Sequence, residues 1–193
     1  MAEQTRGTLP MYGSFSTFVT FLNWLREMSV IPSQIDRSLW QSKFGGGLGS
    51  QLMAGLRFLK LLDGERPTER LRQIAKASDE DRKPILKDLI VEIYGTSLTD
   101  ELISMTPGIF EREIRNLGTT DSTHRKASSF FIQAAKHAGI AMPDSIAKKA
   151  RSATSTRRGR ASAAKPKGTV HTPRNEGGSG GEDNKPKTNK RTQ

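Results

Sequence analysis

The sequence predicts a mostly α-helical protein with one small β-hairpin and a disordered basic C-terminal tail. Three observations support this fold class. Apolar residues recur at helical spacing in successive stretches between residues 15 and 138. The pair Asp63-Gly64, between two short stretches, favours a tight hairpin turn. Residues 148–193 contain no Phe, Trp or Tyr, so they cannot fill a hydrophobic core.

We expect four regions along the chain. A flexible N-terminus, residues 1–13, precedes a first helical unit, residues 14–77. A second helical unit, residues 78–146, is expected to pack on the first. The basic tail, residues 147–193, mixes Lys and Arg with Ala, Ser and Pro and then becomes glycine-rich.

The first two helices are predicted from apolar spacing and caps. Residues 15–28 carry a helical apolar stripe, and Ser14 before them is a typical N-cap residue. Pro32 suits the first turn of a short second helix that carries Ile35 and Leu39.

Four glycines within residues 45–49 interrupt the pattern, and a third helix is expected directly after them. Its predicted buried stripe consists of four leucines: Leu48, Leu52, Leu56 and Leu59. Small and polar residues are left for solvent or a partner: Ser50, Gln51, Ala54, Arg57 and Lys60.

A hairpin at Asp63-Gly64 follows, and Thr68 then caps a fourth helix that ends near Ala77. Three helices followed by a hairpin are the element order of a winged-helix domain. In this variant of the helix-turn-helix, the third helix can enter the DNA major groove. We therefore expect a winged-helix-like first unit.

The second unit is expected to repeat this plan loosely. Asp79 is predicted to cap a helix that Gly95 closes, and Thr99 to start a short helix. Thr106-Pro107 predicts the start of another helix, because proline fits the first helical position.

The last helix is expected over residues 122–138, after a turn at residues 118–121. Its predicted apolar stripe is Ala127, Phe130, Phe131, Ala134 and Ala138. With the helix before the turn, it would form a second helix-turn-helix-type unit.

Positive charge is concentrated in the tail. Residues 148–193 hold 13 of the 31 Lys and Arg and 3 of the 20 Asp and Glu, a net charge of +10. Residues 1–147 hold 18 basic and 17 acidic residues, a net charge of +1. A polycationic extension on a nearly neutral folded part indicates a polyanionic partner, most commonly nucleic acid. The alternative is an extension that only aids solubility.

Several motifs together resemble an uncharacterised bacterial family, a domain of unknown function. They are residues 31–38 (Ile-Pro-Ser-Gln-Ile-Asp-Arg-Ser), 50–52 (Ser-Gln-Leu), 56–59 (Leu-Arg-Phe-Leu), 67–71 (Pro-Thr-Glu-Arg-Leu), 106–108 (Thr-Pro-Gly) and 125–131 (Arg-Lys-Ala-Ser-Ser-Phe-Phe). The resemblance covers roughly residues 10–145. It implies one recurring folded unit with an appended basic extension, and it carries over no activity and no catalytic residue.

The sequence favours no catalytic, cofactor or metal site. The chain has no cysteine, which excludes disulfides and thiolate metal sites. Residues 45–50 lack the third glycine of a dinucleotide loop and the lysine of an NTP loop, so a turn is the simpler interpretation. His124, His137 and His171 lack metal-ligand spacing and are expected at the surface. We expect no enzyme.

Localisation follows from the absence of transport signals. The most apolar stretch, residues 15–25, is shorter than the roughly 20 residues that span a membrane. We expect a soluble cytoplasmic protein without a membrane partner, with association with the nucleoid as an option.

These observations predict a non-enzymatic, DNA-binding protein, and a regulatory role is one interpretation. Its basic tail is expected to bind phosphates without sequence preference. Candidate contacts in the folded part are Ser50, Gln51, Arg57, Lys60, Arg66, Arg70, Arg125 and Lys126. Those in the tail are Lys148, Lys149, Arg151, Arg157, Arg158, Arg160, Lys165 and Lys167.

The alternative is a helical protein-interaction adaptor with an incidental tail. Its anchors would be exposed aromatic residues. Candidates are Trp24, Trp40, Phe44 and Phe110, for which burial in the core is the simpler explanation.

Overall fold

The structure is a computed structural model, and it describes residues 9–149. Its mostly helical class with one two-stranded antiparallel sheet is as predicted. The helices are α1 (Phe15–Glu27), α2 (Arg37–Phe44), α3 (Gly46–Phe58), α4 (Glu69–Lys76), α5 (Asp79–Tyr94), α6 (Thr96–Thr99), a 3₁₀ helix (Leu102–Ser104), α7 (Pro107–Asn116) and α8 (Asp121–His137). The strands are β1 (Leu62–Asp63) and β2 (Arg66–Pro67). Residues 144–149 are also helical. Most of the predicted tail lies outside the described residues.

Three predicted N-caps are confirmed. The side chains of Ser14, Thr68 and Thr106 each accept a hydrogen bond from the backbone N–H three residues further on. These bonds satisfy donors that the first turn of a helix leaves unpaired. Local capping chemistry therefore sets where α1, α4 and α7 begin.

The start of α2 differs from the prediction. Pro32 lies in the preceding loop, and the cap is Asp36, whose Oδ1 accepts from Leu39 N at 3.0 Å and from Ser38 Oγ at 2.6 Å. These hydrogen bonds lower the pKa of Asp36. Ile35 N donates to Glu65 O at 2.7 Å, so this residue pairs with the hairpin instead of entering the helix.

Two boundaries in the second unit also differ. Ser78, not Asp79, caps α5, because its side chain accepts from Asp81 N. Thr99 ends α6 rather than starting a helix, and its Oγ1 donates to Gly95 O at 3.0 Å. Both boundaries are set by local hydrogen bonds between a hydroxyl side chain and the backbone.

The buried face of α3 is rotated from the predicted leucine stripe. Leu48 is 54% exposed, whereas Gly49, Leu52, Met53 and Leu56 are buried. The reason is a close approach to α2. A Cβ atom at Gly49 would lie 2.0 Å from a ring carbon of Trp40, so only glycine lets these helices pack at this distance.

The hairpin is confirmed, with its turn one residue later than predicted. Asp63 pairs with Arg66 and Leu62 with Pro67, so the turn residues are Gly64 and Glu65. Of these two, only Gly64 has a positive φ, +62°, as a type II′ turn requires.

The two predicted units share one hydrophobic core. Phe15 and Phe18 of α1 contact Phe130 of α8, with ring centroids 5.8 Å apart in both pairs. Met11, in the stretch expected to be flexible, is fully buried and lies against Gly55 of α3. The helix α8 is central, since all of residues 130–135 except Gln133 are buried.

One buried arginine links three helices. The side chain of Arg82 is 1% exposed. Its Nε donates to Ile74 O at 3.0 Å, and its Nη1 donates to Asn23 Oδ1 at 3.0 Å. Nη2 donates to Ala77 O at 3.4 Å. The guanidinium thus caps the carboxyl end of α4 and joins it to α1 and α5.

Candidate nucleic-acid interface

The solvent side of α3 carries small and polar residues. Gly47, Ser50 and Arg57 are exposed, and Gln51 and Ala54 are half-buried. Ser50 Oγ donates to Gly46 O at 2.8 Å, which leaves the hydroxyl oxygen as an acceptor. Such a face lets the backbone of a helix approach another surface closely.

The hairpin places cations beside the carboxyl end of this face. Arg57 Nε donates to Gly64 O at 2.7 Å, which joins α3 to the turn. Arg66 is exposed on β2, whose next residue, Pro67, is buried. Lys60 is exposed just after α3. We call the set Gly47, Ser50, Gln51, Ala54, Arg57, Lys60 and Arg66 the α3–hairpin surface.

Two arginines near the hairpin bind elsewhere. Arg70, a predicted contact, forms an ion pair with Glu92 of α5. Arg72 Nη1 donates to Ile31 O at 3.3 Å. The structure therefore uses these two side chains to hold α4 to its neighbours.

The predicted nucleic-acid contacts on α8 are not part of the α3–hairpin surface. Arg125 and Lys126 are exposed, and neither forms an ion pair within the described part of the chain. The helix offers only its first turns, because its second half is buried almost all round. It presents a short basic edge rather than a full face.

The near-neutral folded part divides into segments of opposite charge. Residues 36–76 hold eight basic and four acidic residues. Residues 78–113 hold four basic and nine acidic residues, and residues 114–149 hold six basic and two acidic residues. The corresponding net charges are +4, −5 and +4. The net charge of the whole folded part hides this division, whereas the net charge counted segment by segment along the sequence shows it.

Ion pairing accentuates the difference between the segments. Of the basic residues at 36–76, only Arg70 forms an ion pair among residues 9–149. In the acidic segment, Arg82, Lys83 and Arg112 all do. The cations of the α3–hairpin surface therefore lack a carboxylate partner in the described structure.

The segment that leads into the tail is attached to α7. Ile146 is fully buried, and Lys149 Nζ donates to Glu111 on α7. The other Glu111 oxygen bonds to His124 Nε2. Lys149 is therefore engaged in an ion pair, whereas Lys148 is exposed. The predicted tail contacts from Arg151 to Lys167 lie outside the described residues.

The burial of His124 corrects the expectation that it lies at the surface. Its side chain is 9% exposed, and its Nδ1 lies 3.1 Å from Thr119 Oγ1. Burial raises the pKa of Glu111, but hydrogen bonds from Lys149 and His124 lower it more, so the net shift is downward. The hydrogen bonds to Thr119 and Glu111 offset the free-energy cost of burying the imidazole.

No family model, curated protein or solved structure matches this chain. The resemblance to an uncharacterised bacterial family thus stays a prediction. Among residues 9–149, no three His, Cys, Asp or Glu side chains are grouped to hold a metal ion. The helices of this part are too short or too polar to cross a membrane.

Proposed function

We propose that this chain is a non-enzymatic DNA-binding protein that docks a duplex on the α3–hairpin surface. One observation carries the proposal. Three cations without carboxylate partners in the described structure, Arg57, Lys60 and Arg66, lie next to an outer helix face of small and polar residues. Phosphates favour such cations, and a small-residue face suits entry into a groove.

The element order supports a winged-helix interpretation of this surface. α3 would be the recognition helix and the β1–β2 hairpin the wing. The α2–α3 connection is tighter than the usual turn of about three to four residues. Gly45, with φ +64°, joins the two helices alone, since glycine adopts this conformation without steric cost.

The aromatic residues favour a duplex over a single strand. Every aromatic residue among residues 9–149 is buried or half-buried, and residues 148–193 contain no Phe, Trp or Tyr. Proteins that bind single strands commonly stack bases on exposed aromatic rings. The chain offers phosphate contacts and a helix face instead.

The basic tail is proposed to add affinity that does not depend on sequence. Each phosphate that a cation neutralises adds about 0.9 to the slope of log K against log salt. The test compares the wild-type chain with a full-length variant in which six tail cations become Gln: Arg151, Arg157, Arg158, Arg160, Lys165 and Lys167. Fluorescence anisotropy with a labelled duplex gives both slopes.

We expect the variant to bind more weakly, with a slope lower by about 3 to 5, and to retain measurable duplex binding through the folded part. Equal slopes for the two proteins would contradict the role of the tail. Absence of duplex binding by both would contradict the proposed function itself.

The adaptor remains a second candidate, on one observation. Ile103 and Ile109, near the start of α7, are 57% and 40% exposed. Three of the four predicted anchors, Trp40, Phe44 and Phe110, are buried in the core and cannot serve at the surface. The fourth, Trp24, is half-buried and packs against the core. A protein partner recovered after nuclease treatment, and lost on substituting both isoleucines by Ser, would favour the adaptor.

A further inference from the structure

We infer that Arg57 is a preorganised ligand for one backbone phosphate of duplex DNA, held in position by the hairpin turn. This inference rests on the proposed function and deepens it. It assigns a binding role to the junction between α3 and the hairpin.

The hydrogen bond of Arg57 fixes its guanidinium without consuming it. Nε donates to Gly64 O at 2.7 Å, and the residue is exposed. The remaining donors, on Nη1 and Nη2, make no further hydrogen bond within residues 9–149. Two parallel N–H groups match two oxygens of a phosphate, and a guanidinium already oriented loses less entropy on binding.

The acceptor of this bond is itself held in place. Gly64 lies in a turn with φ +62°, and the adjacent Glu65 O accepts from Ile35 N at 2.7 Å. The turn is thus bonded both to α3 and to the segment before α2. A support attached at two points keeps the guanidinium in a defined orientation relative to α3.

Lys60 occupies a position that glycine usually fills. Its φ is +52°, its N–H donates to Arg57 O, and Leu61 N donates to Leu56 O, both at 2.9 Å. This is the Schellman arrangement, in which the left-handed residue is commonly glycine. The chain therefore keeps a cation next to Arg57 at a conformational cost.

Two carboxylates limit the site to few phosphates. Asp63 is opposite Arg66 in the hairpin, and Glu65 is exposed in the turn. Neither forms an ion pair in the described part of the chain. Since both would repel phosphate, removing one negative charge by Glu65→Gln should tighten duplex binding.

The experiment uses full-length proteins and a labelled duplex of two helical turns, about 21 base pairs. Kd is measured by anisotropy between about 50 and 200 mM salt for wild type, Arg57→Ala, Arg57→Gln and Arg57→Lys. Lys87→Ala is the matched control, because Lys87 is an exposed lysine of α5 outside the site. Thermal unfolding of each protein is recorded alongside.

We expect Arg57→Ala to weaken binding about tenfold and Arg57→Lys about threefold, since lysine keeps the charge but not the paired donors. Arg57→Ala and Arg57→Gln should each lower the salt slope by about 0.9. Lys87→Ala should bind close to wild type, and Glu65→Gln more tightly.

Other outcomes separate the two proposals. If wild type binds the duplex but the Arg57 variants bind it as tightly as Lys87→Ala does, Arg57 is not a phosphate ligand and the proposed function stands. Weaker binding with an unchanged slope and a lower unfolding temperature would show a purely structural role and also overturn the inference. Equal effects on a single strand of the same length would contradict the duplex assignment, and competition by inorganic phosphate at constant ionic strength would indicate a free-anion site.

Discussion

The helices α3 and α8 follow the same local plan but meet the rest of the protein differently. Each follows another helix, carries an apolar stripe and ends in a Schellman arrangement. α8 runs through the core, with eight of its residues buried, whereas α3 leaves the face from Gly47 to Arg57 accessible. Apolar periodicity therefore predicts that a helix forms, whereas the packing of neighbouring elements decides which helix can contact a partner.

The largest expected effect is in α8. Phe131 is fully buried, and its ring lies 4.9 Å from that of Tyr94 and 5.8 Å from that of Phe110. Phe131→Ala should lower the free energy of unfolding by about 3–5 kcal/mol, because it leaves a cavity among aromatic rings. Urea denaturation measures the change. Ser50→Ala on α3 is the comparison and should stay within about 0.5 kcal/mol of wild type; similar losses for both would contradict the assignment of core and surface helices.

A smaller effect separates two glycines of α3. A Cβ at Gly49 would clash with Trp40, whereas one at Gly47 meets nothing within 4 Å. Gly49→Ala should therefore cost about 1–3 kcal/mol, and Gly47→Ala should be neutral or stabilise by about 0.4–1 kcal/mol. Thermal unfolding of the two variants side by side checks this. A reversed order would show that α3 does not pack on α2 as described.

The helix ends allow a reciprocal exchange. Lys60, just after α3, and Gly139, just after α8, occupy equivalent left-handed positions, with φ of +52° and +74°. Lys60→Gly should stabilise the fold by about 1 kcal/mol and weaken duplex binding, and Gly139→Lys should destabilise it by a similar amount. Denaturation and anisotropy on the same samples test both parts. Stabilisation with unchanged binding would remove Lys60 from the interface.

The smallest effect concerns the attachment of the tail. Because hydrogen bonds from Lys149 and His124 lower the pKa of Glu111 despite its burial, the ionised carboxylate stabilises the fold above its ordinary pKa of 4.5. That contribution is lost as the pH falls through the lower folded-state pKa. Glu111→Gln should cost less than about 1 kcal/mol at neutral pH, and its stability should fall less steeply toward acid. If the stabilities of wild type and Glu111→Gln fall in parallel as the pH is lowered, the stabilising role of the Glu111 carboxylate is contradicted.

Sequence reasoning succeeded where the cause is local. The caps Ser14, Thr68 and Thr106 are recognisable because each bonds within its own first turn. The predicted burial of Leu48 was wrong, because the orientation of α3 depends on the contact of Gly49 with Trp40 in another helix. Local pattern carries no information on that contact.

The candidate site shows the same limit. The basic residues of α3 and the hairpin are visible in the sequence, but the bond from Arg57 to Gly64 depends on how the hairpin folds back. In the sequence Arg70 is equivalent to these residues, but in the fold it forms an ion pair with Glu92, 22 residues further along the chain. Which cations are free for a partner depends on tertiary packing, so composition alone cannot give it.

Hydrogen exchange in the presence of saturating duplex DNA tests the central claim most directly, because it reports on α3 and α8 in one experiment. We expect slower exchange in residues 46–66, which hold the α3–hairpin surface, and little change in the already buried half of α8. Protection confined to α8 or to the basic tail, with α3 and the hairpin unchanged, would contradict the proposed interface.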